Sequence, residues 1–199
     1  AAPRHREKTG KPLSTYAVGI GESEDIRKAR VVAEHIGSEH SEILISLEKL
    51  ESLLPRVIYY LESFDPSLVR SSLVNYVVAE AAASDGNELV LSGEGGDELF
   101  AGYANLLDAD ASQIQKGQLE ALSMLHNNAS LRLDRMNQAN GLRVVAPMIS
   151  GELLRYAFSI PSKYRIHRDE SGRTMEKWIL REAFRHDLQI GRASCRERV

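Results

Sequence analysis

The stretch that decides the fold is Leu89-Val-Leu-Ser-Gly-Glu-Gly-Gly-Asp-Glu-Leu-Phe-Ala-Gly-Tyr103. An apolar run predicts a buried strand, the glycines after it predict a tight loop, and the residues after the loop predict the start of a helix. In open α/β sheets, ligands bind at the carboxyl ends of the strands, and a helix N-terminus offers unpaired N–H donors to an anion. The stretch therefore predicts a strand–loop–helix unit whose loop faces a phosphate-bearing ligand.

Three carboxylates lie in this glycine-rich loop and at the helix start, namely Glu94, Asp97 and Glu98. A carboxylate repels a polyphosphate unless a cation lies between them, and Mg²⁺ is commonly held by one or two protein carboxylates together with phosphate oxygens. We therefore interpret Ser92, Gly93, Glu94 and Asp97 together as a metal–polyphosphate site. For Glu98 taken alone, the alternative that it only complements the helix dipole stays open.

The segments before this stretch alternate between strand and helix patterns, and those after it are mainly helical. Predicted strands are Leu13–Gly19, Glu42–Ser46 and Glu88–Leu91, and predicted helices include 26–36, 47–62 (with Pro55 as a break or a first-turn residue between two helices), 68–83, 152–158 and 174–186. Alternating strands and helices predict an α/β fold with a parallel sheet, followed by a helical region. Three strands are few for such a sheet, so we expect a first strand upstream of Ala1 that this chain lacks.

Composition excludes several classes of protein. The chain has 199 residues, of which 43% are hydrophobic, and a net charge of −3, so we expect a globular protein with no nucleic-acid partner. No apolar run approaches the roughly 18–20 residues that a bilayer-spanning helix needs, so we expect no membrane partner. Cys195 is the only cysteine and cannot form an internal disulfide, which favours a cytoplasmic location.

Both ends of the chain indicate a piece of a longer protein. The sequence begins at Ala1 without a methionine or a signal-peptide pattern. The last ten residues, Ile190–Val199, resemble one reading frame of a sequencing adapter. We therefore expect residues 1–189 to be a partial domain and residues 190–199 to be a non-native tail.

Several ordered motifs are similar to those of one enzyme family. Ser92–Tyr103 resembles the SGEGxDE-x-x-x-GY hallmark of the asparagine synthetase family. Further segments that resemble family motifs, in the family's order, are Tyr16–Gly19, Ala33–His40, Ile58–Asp65, Val69–Ser71, Asp134–Pro147 and Glu176–Arg181. Each segment alone is a weak signal, but their order and spacing make the resemblance specific from about Leu13 to about Leu188.

The resemblance implies a PP-loop fold of the adenine-nucleotide α-hydrolase type and an ATP-dependent ligase activity. With Mg²⁺, such a domain adenylates the side-chain carboxylate of aspartate, and ammonia then attacks the β-aspartyl-AMP to give asparagine and AMP. The ammonia usually comes from glutamine, through an N-terminal glutaminase domain. The expected cofactors and partners are thus ATP, Mg²⁺, aspartate, ammonia and a glutaminase domain.

Site residues are carried over from the family position by position. Val18, Ser92 and Gly93 would contact the nucleotide, and Glu94 would act in forming or using the acyl-adenylate. Asp97 would hold Mg²⁺ and pyrophosphate. Ser67 and Arg70 match a hydroxyl and an arginine near the reacting phosphate, where an arginine suits the charge that grows on phosphate oxygens.

Departures from the family pattern leave alternatives open. The family's leading Ser-Gly-Gly-x-Asp-Ser loop and a later lysine-containing stretch are not in this sequence, so we expect these 199 residues alone to be inactive. Arg143, Val145 and Ser150 replace the usual Glu, Arg and Asp. The substrate could therefore be another carboxylate, as in β-lactam-forming or peptide-cyclising relatives, or the protein could be a non-catalytic homologue. The oligomeric state is also open, a homodimer included.

Overall fold

A computed structural model describes residues 1–187 and divides them into two compact units. The first unit holds residues 1–88, 135–142 and 186–187, and the second holds residues 89–134 and 143–185. The sequence patterns did not indicate this division. The predicted tail, residues 190–199, lies outside the described residues.

The elements of the first unit alternate between helix and strand. They are α1 (Ala2–Thr9), β1 (Ser14–Gly19), α2 (Glu24–Ile36), β2 (Glu39–Leu44), α3 (Leu47–Leu61) and α4 (Pro66–Ser84). Strands β1 and β2 pair in parallel, with Val18 opposite Ile43. The end of β1 lies close to α2, since a Cβ added at Gly19 would come within 2.8 Å of Ile26 Cγ1.

Local signals explain where α2 begins and ends. Ser23 caps its N-terminus by accepting a hydrogen bond from the Ile26 N–H, and Gly37 ends it in the left-handed conformation, with φ 62°. Both were predicted from the sequence. Ile26 and Ala33 are buried on the same helix, as expected for an amphipathic helix packed on a sheet.

Helix α3 corrects one prediction. We expected Pro55 to break the helix or to begin a second one, but α3 runs without interruption from Leu47 to Leu61 with Pro55 inside it. Leu53, Val57 and Leu61 are buried at a spacing of four residues. This apolar stripe contacts α4, and its burial outweighs the helix hydrogen bond that proline cannot make.

The second unit contains a second parallel strand pair and several helices. Its elements are β3 (Leu89–Leu91), α5 (Gly96–Phe100), α6 (Ala111–Met124), the first part of α7 (Ala129–Gln138), β4 (Arg143–Val145), α8 (Gly151–Ser159), β5 (His167–Arg168), β6 (Thr174–Met175) and α9 (Trp178–Ala183). Strand β3 pairs in parallel with β4, a strand that sequence analysis missed. The predicted α/β fold with parallel strands is thus confirmed, and the first strand upstream of Ala1 stays a prediction.

The predicted helix over residues 174–186 is wrong in its first part. Thr174 and Met175 instead pair in antiparallel fashion with His167 and Arg168, and α9 begins only at Trp178. Lys177, just before α9, has a left-handed backbone with φ 52°, which no continuous helix could contain. In the described part of the chain, no helix is both long and apolar enough to cross a membrane.

Candidate functional site

The predicted loop follows β3 directly and opens α5. The Ser92 N–H donates to the Val145 carbonyl at 2.9 Å, which extends the β3–β4 pairing by one residue, and Ser92 Oγ accepts from the Glu94 N–H at 3.2 Å. Gly95 has φ +93°, and a Cβ there would lie 2.8 Å from Ile149 Cγ1. This position therefore requires glycine for both its backbone conformation and its packing.

Asp97, in the first turn of α5, forms an ion pair with a lysine from a distant part of the sequence. Lys177 Nζ lies 2.8 Å from Asp97 Oδ1, and each side chain is only 22% exposed. Gly102 leaves room for this pair, since a Cβ at Gly102 would lie 1.6 Å from Asp97 Oδ1 and 2.6 Å from Lys177 Cε.

Glu94, within the loop, faces a second cation. Arg132 Nη2 lies 3.3 Å from one carboxylate oxygen of Glu94 and 3.4 Å from the other, and both side chains are 19% exposed. These contacts are longer than those of a close charge-assisted hydrogen bond. The loop thus carries two carboxylates, each matched by a partly buried cation of the same unit.

Glu98 does more than complement the helix dipole. Its side chain is buried, and one carboxylate oxygen accepts a short hydrogen bond from the Tyr103 hydroxyl. Burial of the Tyr103 phenol and its bond to Glu98 raise the pKa of Tyr103, and the charges of Glu98, Asp97 and Glu94 raise it further. Tyr103 therefore stays protonated at any physiological pH and remains a donor to Glu98.

The remaining predicted site residues lie in the first unit. Val18 is half-buried near the carboxyl end of β1, and Ser67 and Arg70 are exposed in the first two turns of α4. Asp65 caps this helix by accepting from the Leu68 N–H at 2.8 Å. In the described part of the chain, no hydrogen bond joins the side chains of Ser67 and Arg70, and the Val18 side chain has no polar atom. Ser92, Gly93 and Glu94 lie in the loop after β3, and Asp97 lies in the first turn of α5.

The carboxylates at this loop are too few to hold a magnesium ion alone. They fit a magnesium ion that also takes ligands from the phosphates of the substrate. Among residues 1–187, no group of three or more His, Cys, Asp or Glu side chains could form a metal site. Mg²⁺ commonly uses one or two protein carboxylates and takes its other ligands from phosphate oxygens and water. Asp97, with Glu94 on the same loop, fits that pattern.

Sequence reasoning missed the two cations of the site. Arg132 belongs to α7 and no motif marked it. Lys177 lies in the Glu176–Arg181 segment, which resembles a family motif. The motif indicated the segment but not the ion pair of Lys177 with Asp97. Ser150, which stands where the family pattern has Asp, caps α8 by accepting a hydrogen bond from the Leu153 N–H.

Together these features define an α/β protein with a glycine-rich acidic loop at the carboxyl end of a parallel strand. A family model described as "Asparagine synthase" matches the chain at residues 1–118 and again at residues 107–189. The chain therefore belongs to the asparagine synthase family.

Known relatives carry the same family name. The chain is 31% identical over 190 residues to asparagine synthetase [glutamine-hydrolyzing] 3 of Arabidopsis thaliana, covering 92% of this chain and 33% of the relative. It is 36% identical over 175 residues to the human asparagine synthetase [glutamine-hydrolyzing], covering 87% of this chain and 30% of the relative. The chain thus spans about a third of the length of the curated relatives it matches. None of these relatives favours the alternative of a β-lactam-forming or peptide-cyclising ligase.

Proposed function

We propose that this chain is part of the synthetase domain of an ATP-dependent ligase that makes asparagine. The observation that carries the proposal is the loop after β3. It places Glu94 and Asp97 at the end of a parallel strand, each beside a cation, in a chain that belongs to the asparagine synthase family. The aspartate, ATP and glutamine-derived ammonia used by the whole protein are part of this proposal.

The reaction has two steps. The β-carboxylate oxygen of aspartate attacks the α-phosphorus of ATP, the bond to the β-phosphate oxygen breaks, and pyrophosphate leaves. The nitrogen of ammonia then attacks the acyl carbon of β-aspartyl-AMP, the bond to AMP breaks, and the attacking nitrogen loses a proton. Both steps build negative charge on phosphate oxygens, which fixed cations stabilise without reorganising.

In the second unit, Asp97 and Lys177 suit the pyrophosphate end of the nucleotide. Asp97 would hold Mg²⁺, which when bound neutralises charge on the leaving pyrophosphate. Lys177 holds the Asp97 carboxylate in place, and its ammonium adds a second positive charge at the same point. Ser92 and Gly93 would contact the nucleotide. Space beside Gly93 supports this role, because a Cβ there would meet nothing within 4 Å.

Glu94 is proposed to act in forming or using the acyl-adenylate. Arg132 faces both of its oxygens at 3.3 and 3.4 Å, distances longer than those of a close charge-assisted hydrogen bond. In the first unit, Val18 would contact the nucleotide, and Ser67 and Arg70 would act near the reacting phosphate. The exposed hydroxyl and guanidinium at the start of α4 are available for such contacts.

The finer features of the fold are also proposed from the family. They are a PP-loop architecture with a first strand and a Ser-Gly-Gly-x-Asp-Ser loop upstream of Ala1, and a glutaminase domain in the same protein or a partner. The two parallel strand pairs support the architecture. The printed names of the relatives, which specify glutamine hydrolysis, support the ammonia source.

Aspartate-dependent exchange of labelled pyrophosphate into ATP tests the proposal. It is measured on a protein of the relatives' full length that carries residues 1–189 unchanged, and on the 199-residue chain. We expect exchange in the longer protein and none in the 199-residue chain. Replacing Glu94→Gln should slow exchange by about 100-fold or more, since an ionised group aimed at the reacting centre is removed.

Glu170→Gln provides the matched control. Glu170 is an exposed carboxylate of the same unit, in the turn between β5 and β6, and its loss should leave exchange unchanged. Full exchange in Glu94→Gln would remove the role assigned to Glu94. Exchange with another carboxylic acid but not with aspartate would show that the ligase acts on a different substrate.

A further inference from the structure

Arg165 is a buried cation of the second unit that lies outside the acidic loop. It follows a 3₁₀ turn at Ser162–Tyr164 and is only 1% exposed. Its guanidinium donates to Gln118 Oε1 at 2.8 Å, to Ser162 Oγ at 3.1 Å and to the Ala157 carbonyl at 2.8 Å. Within residues 1–187 it has no carboxylate partner, and its Nε has no hydrogen-bond partner. The guanidinium also lies over the Phe158 ring, 5.4 Å from the ring centroid. Burying a charge without an opposite charge is costly, so a role that offsets this cost is expected.

The first connection from Arg165 leads to helix α5. Gln118 is fully buried in α6, and its Nε2 donates to the carbonyls of Glu98 at 2.8 Å and Leu99 at 2.7 Å. Arginine can only donate, so the Gln118 carbonyl oxygen must face Arg165 and its amide nitrogen must face α5. Arg165 thereby fixes the orientation of the Gln118 amide.

Helix α5 needs such support. It has five residues, Gly96–Phe100, and a helix that short is not stable by itself in water. Its last carbonyls have no partner inside the helix, and Gln118 supplies two donors to them. Since Asp97 lies in this helix, the Gln118 amide helps to set the position of the Asp97 carboxylate.

The second connection from Arg165 leads to the lysine that pairs with Asp97. The Arg165 carbonyl accepts a hydrogen bond from the Trp178 N–H at 2.7 Å. Trp178 directly follows Lys177, whose backbone is left-handed. Arg165 therefore supports both members of the Lys177–Asp97 ion pair, one through its side chain and Gln118, and the other through its main chain.

The geometry points to Arg165 and Gln118 as positioning residues that hold the Lys177–Asp97 pair in the alignment needed for the pyrophosphate end of the nucleotide. This inference rests on the proposed function for its catalytic part. Neither residue touches the reacting atoms, and both act through α5 and through the start of α9.

A labelling experiment on the 199-residue chain tests the positioning directly. The rate at which acetic anhydride acylates the Lys177 amine is measured by mass spectrometry and compared with that of Lys116, whose side chain is 78% exposed. Replacing Gln118→Glu keeps an acceptor for Arg165 but removes both donors to α5. We expect Lys177 to be acylated about fivefold faster, the ratio that corresponds to losing about one net hydrogen bond.

Two controls separate positioning from general loosening. Gln115→Glu makes the same chemical change at an exposed position of α6 and should leave the Lys177 rate unchanged. Leu106→Ala removes packing from another buried cluster of the unit and should lower the urea midpoint without a selective rise at Lys177. If Gln118→Glu does not fold, the labelling test is made on Arg165→Lys instead. It keeps the charge but loses the planar fork, so the Lys177 rate should rise.

Exchange measured on the full-length protein supplies the catalytic readout. Gln118→Glu should lower kcat about tenfold with little change in KM for aspartate, because a small misplacement of a positioned group slows the chemical step. Unchanged Lys177 acylation in a folded Gln118→Glu or Arg165→Lys variant would overturn the inference. Absence of exchange in the unsubstituted full-length protein would instead count against the proposed function, and the labelling result would still stand.

Discussion

The two acidic positions of the loop are held in different ways. Asp97 lies in α5, 2.8 Å from Lys177, with Gly102 directly behind it and Gln118 fixing the end of the helix. Glu94 lies in the loop, and its contact with Arg132 is longer, at 3.3 Å. Space beside Gly93 is open, since a Cβ there would meet no atom within 4 Å.

The difference separates a rigid position from an adjustable one. A residue that holds a metal and a leaving group needs a fixed geometry, and Asp97 is held by Lys177 and by a helix that Gln118 supports. A residue that acts on an intermediate whose shape changes between two steps benefits from a carboxylate that can shift slightly. The contacts that hold Asp97 and Glu94 therefore differ in the same way as the roles proposed for the two residues. Each set of contacts can be removed by a separate substitution.

Gly102→Ala should have the largest effect, because it forces the rigid position to move. The added Cβ would overlap Asp97 Oδ1, at 1.6 Å, so either the carboxylate leaves Lys177 or the loop shifts. We expect the free energy of unfolding, measured with urea, to fall by about 3 kcal/mol, as in overpacked cores. Exchange in the full-length protein should fall about 100-fold, the cost of displacing a positioned group by about 1 Å.

Gly151→Ala is the matched control. Gly151 is in the same unit, at the start of α8, and a Cβ there makes only an ordinary contact of 3.6 Å with Arg155. Its unfolding free energy should change by less than about 0.5 kcal/mol. Equal effects of the two substitutions would show that Gly102 has no special relation to Asp97.

Tyr103→Phe should have an intermediate effect, because it weakens the rigid position without touching Asp97. Glu98, the neighbour of Asp97 in α5, is buried and loses the donor that the Tyr103 hydroxyl provides. Hydrogen bonds to charged groups contribute about 1.5 kcal/mol or more, and we expect a loss of that size at pH 7.

The pH dependence of Tyr103→Phe identifies the hydroxyl as the cause. Burial and Glu98 raise the pKa of Tyr103 above its ordinary value, so the folded state keeps this proton when the unfolded state loses it. This contribution to stability is full below about pH 10 and is lost as the pH rises further. Between about pH 9 and pH 11 the unsubstituted chain should lose more stability than Tyr103→Phe does. Replacement of the exposed Tyr156 by Phe should leave the profile unchanged.

Local signals made much of the fold predictable. The strand, glycines and helix of Leu89–Phe100 follow one another in the sequence, and so do the Ser23 cap and the Gly37 end of α2. Pairings between distant residues were not predictable. Strand β4 has only three residues, and its partner β3 lies about 50 residues away in the sequence. No repeating pattern of apolar residues therefore predicts β4 or its pairing with β3.

The candidate site shows the same difference between local signals, which are predictable, and pairings of distant residues, which are not. Glu94 and Asp97 were predicted because a glycine-rich loop with carboxylates is a local pattern. Lys177 was not, because its pairing with Asp97 depends on the hairpin of β5 and β6 and on its own left-handed backbone. Strand β6 and a shorter helix, α9, replace the predicted helix. Propensity favours the helix there, and tertiary contacts decide against it.

The smallest effects should come from removing the two cations, and their difference compares the two positions directly. Lys177→Met leaves the partly buried Asp97 carboxylate without its 2.8 Å partner, so we expect a loss of about 1 kcal/mol in unfolding free energy. Arg132→Met also removes a counter-charge, that of Glu94, but at 3.3 Å, and Arg132 carries a buried Nε with no hydrogen-bond partner in the described part of the chain.

Removing that unpaired Nε offsets most of the lost attraction, so Arg132→Met should change stability by less than about 0.5 kcal/mol. Urea unfolding of both variants in low and high salt measures these free energies. The contribution of the Lys177–Asp97 ion pair should persist in high salt, because salt screens a partly buried pair less than an exposed one. If Arg132→Met cost as much as Lys177→Met, Glu94 would be held as firmly as Asp97. The adjustable position would then need a different explanation, since both carboxylates would be fixed by their cations to the same degree.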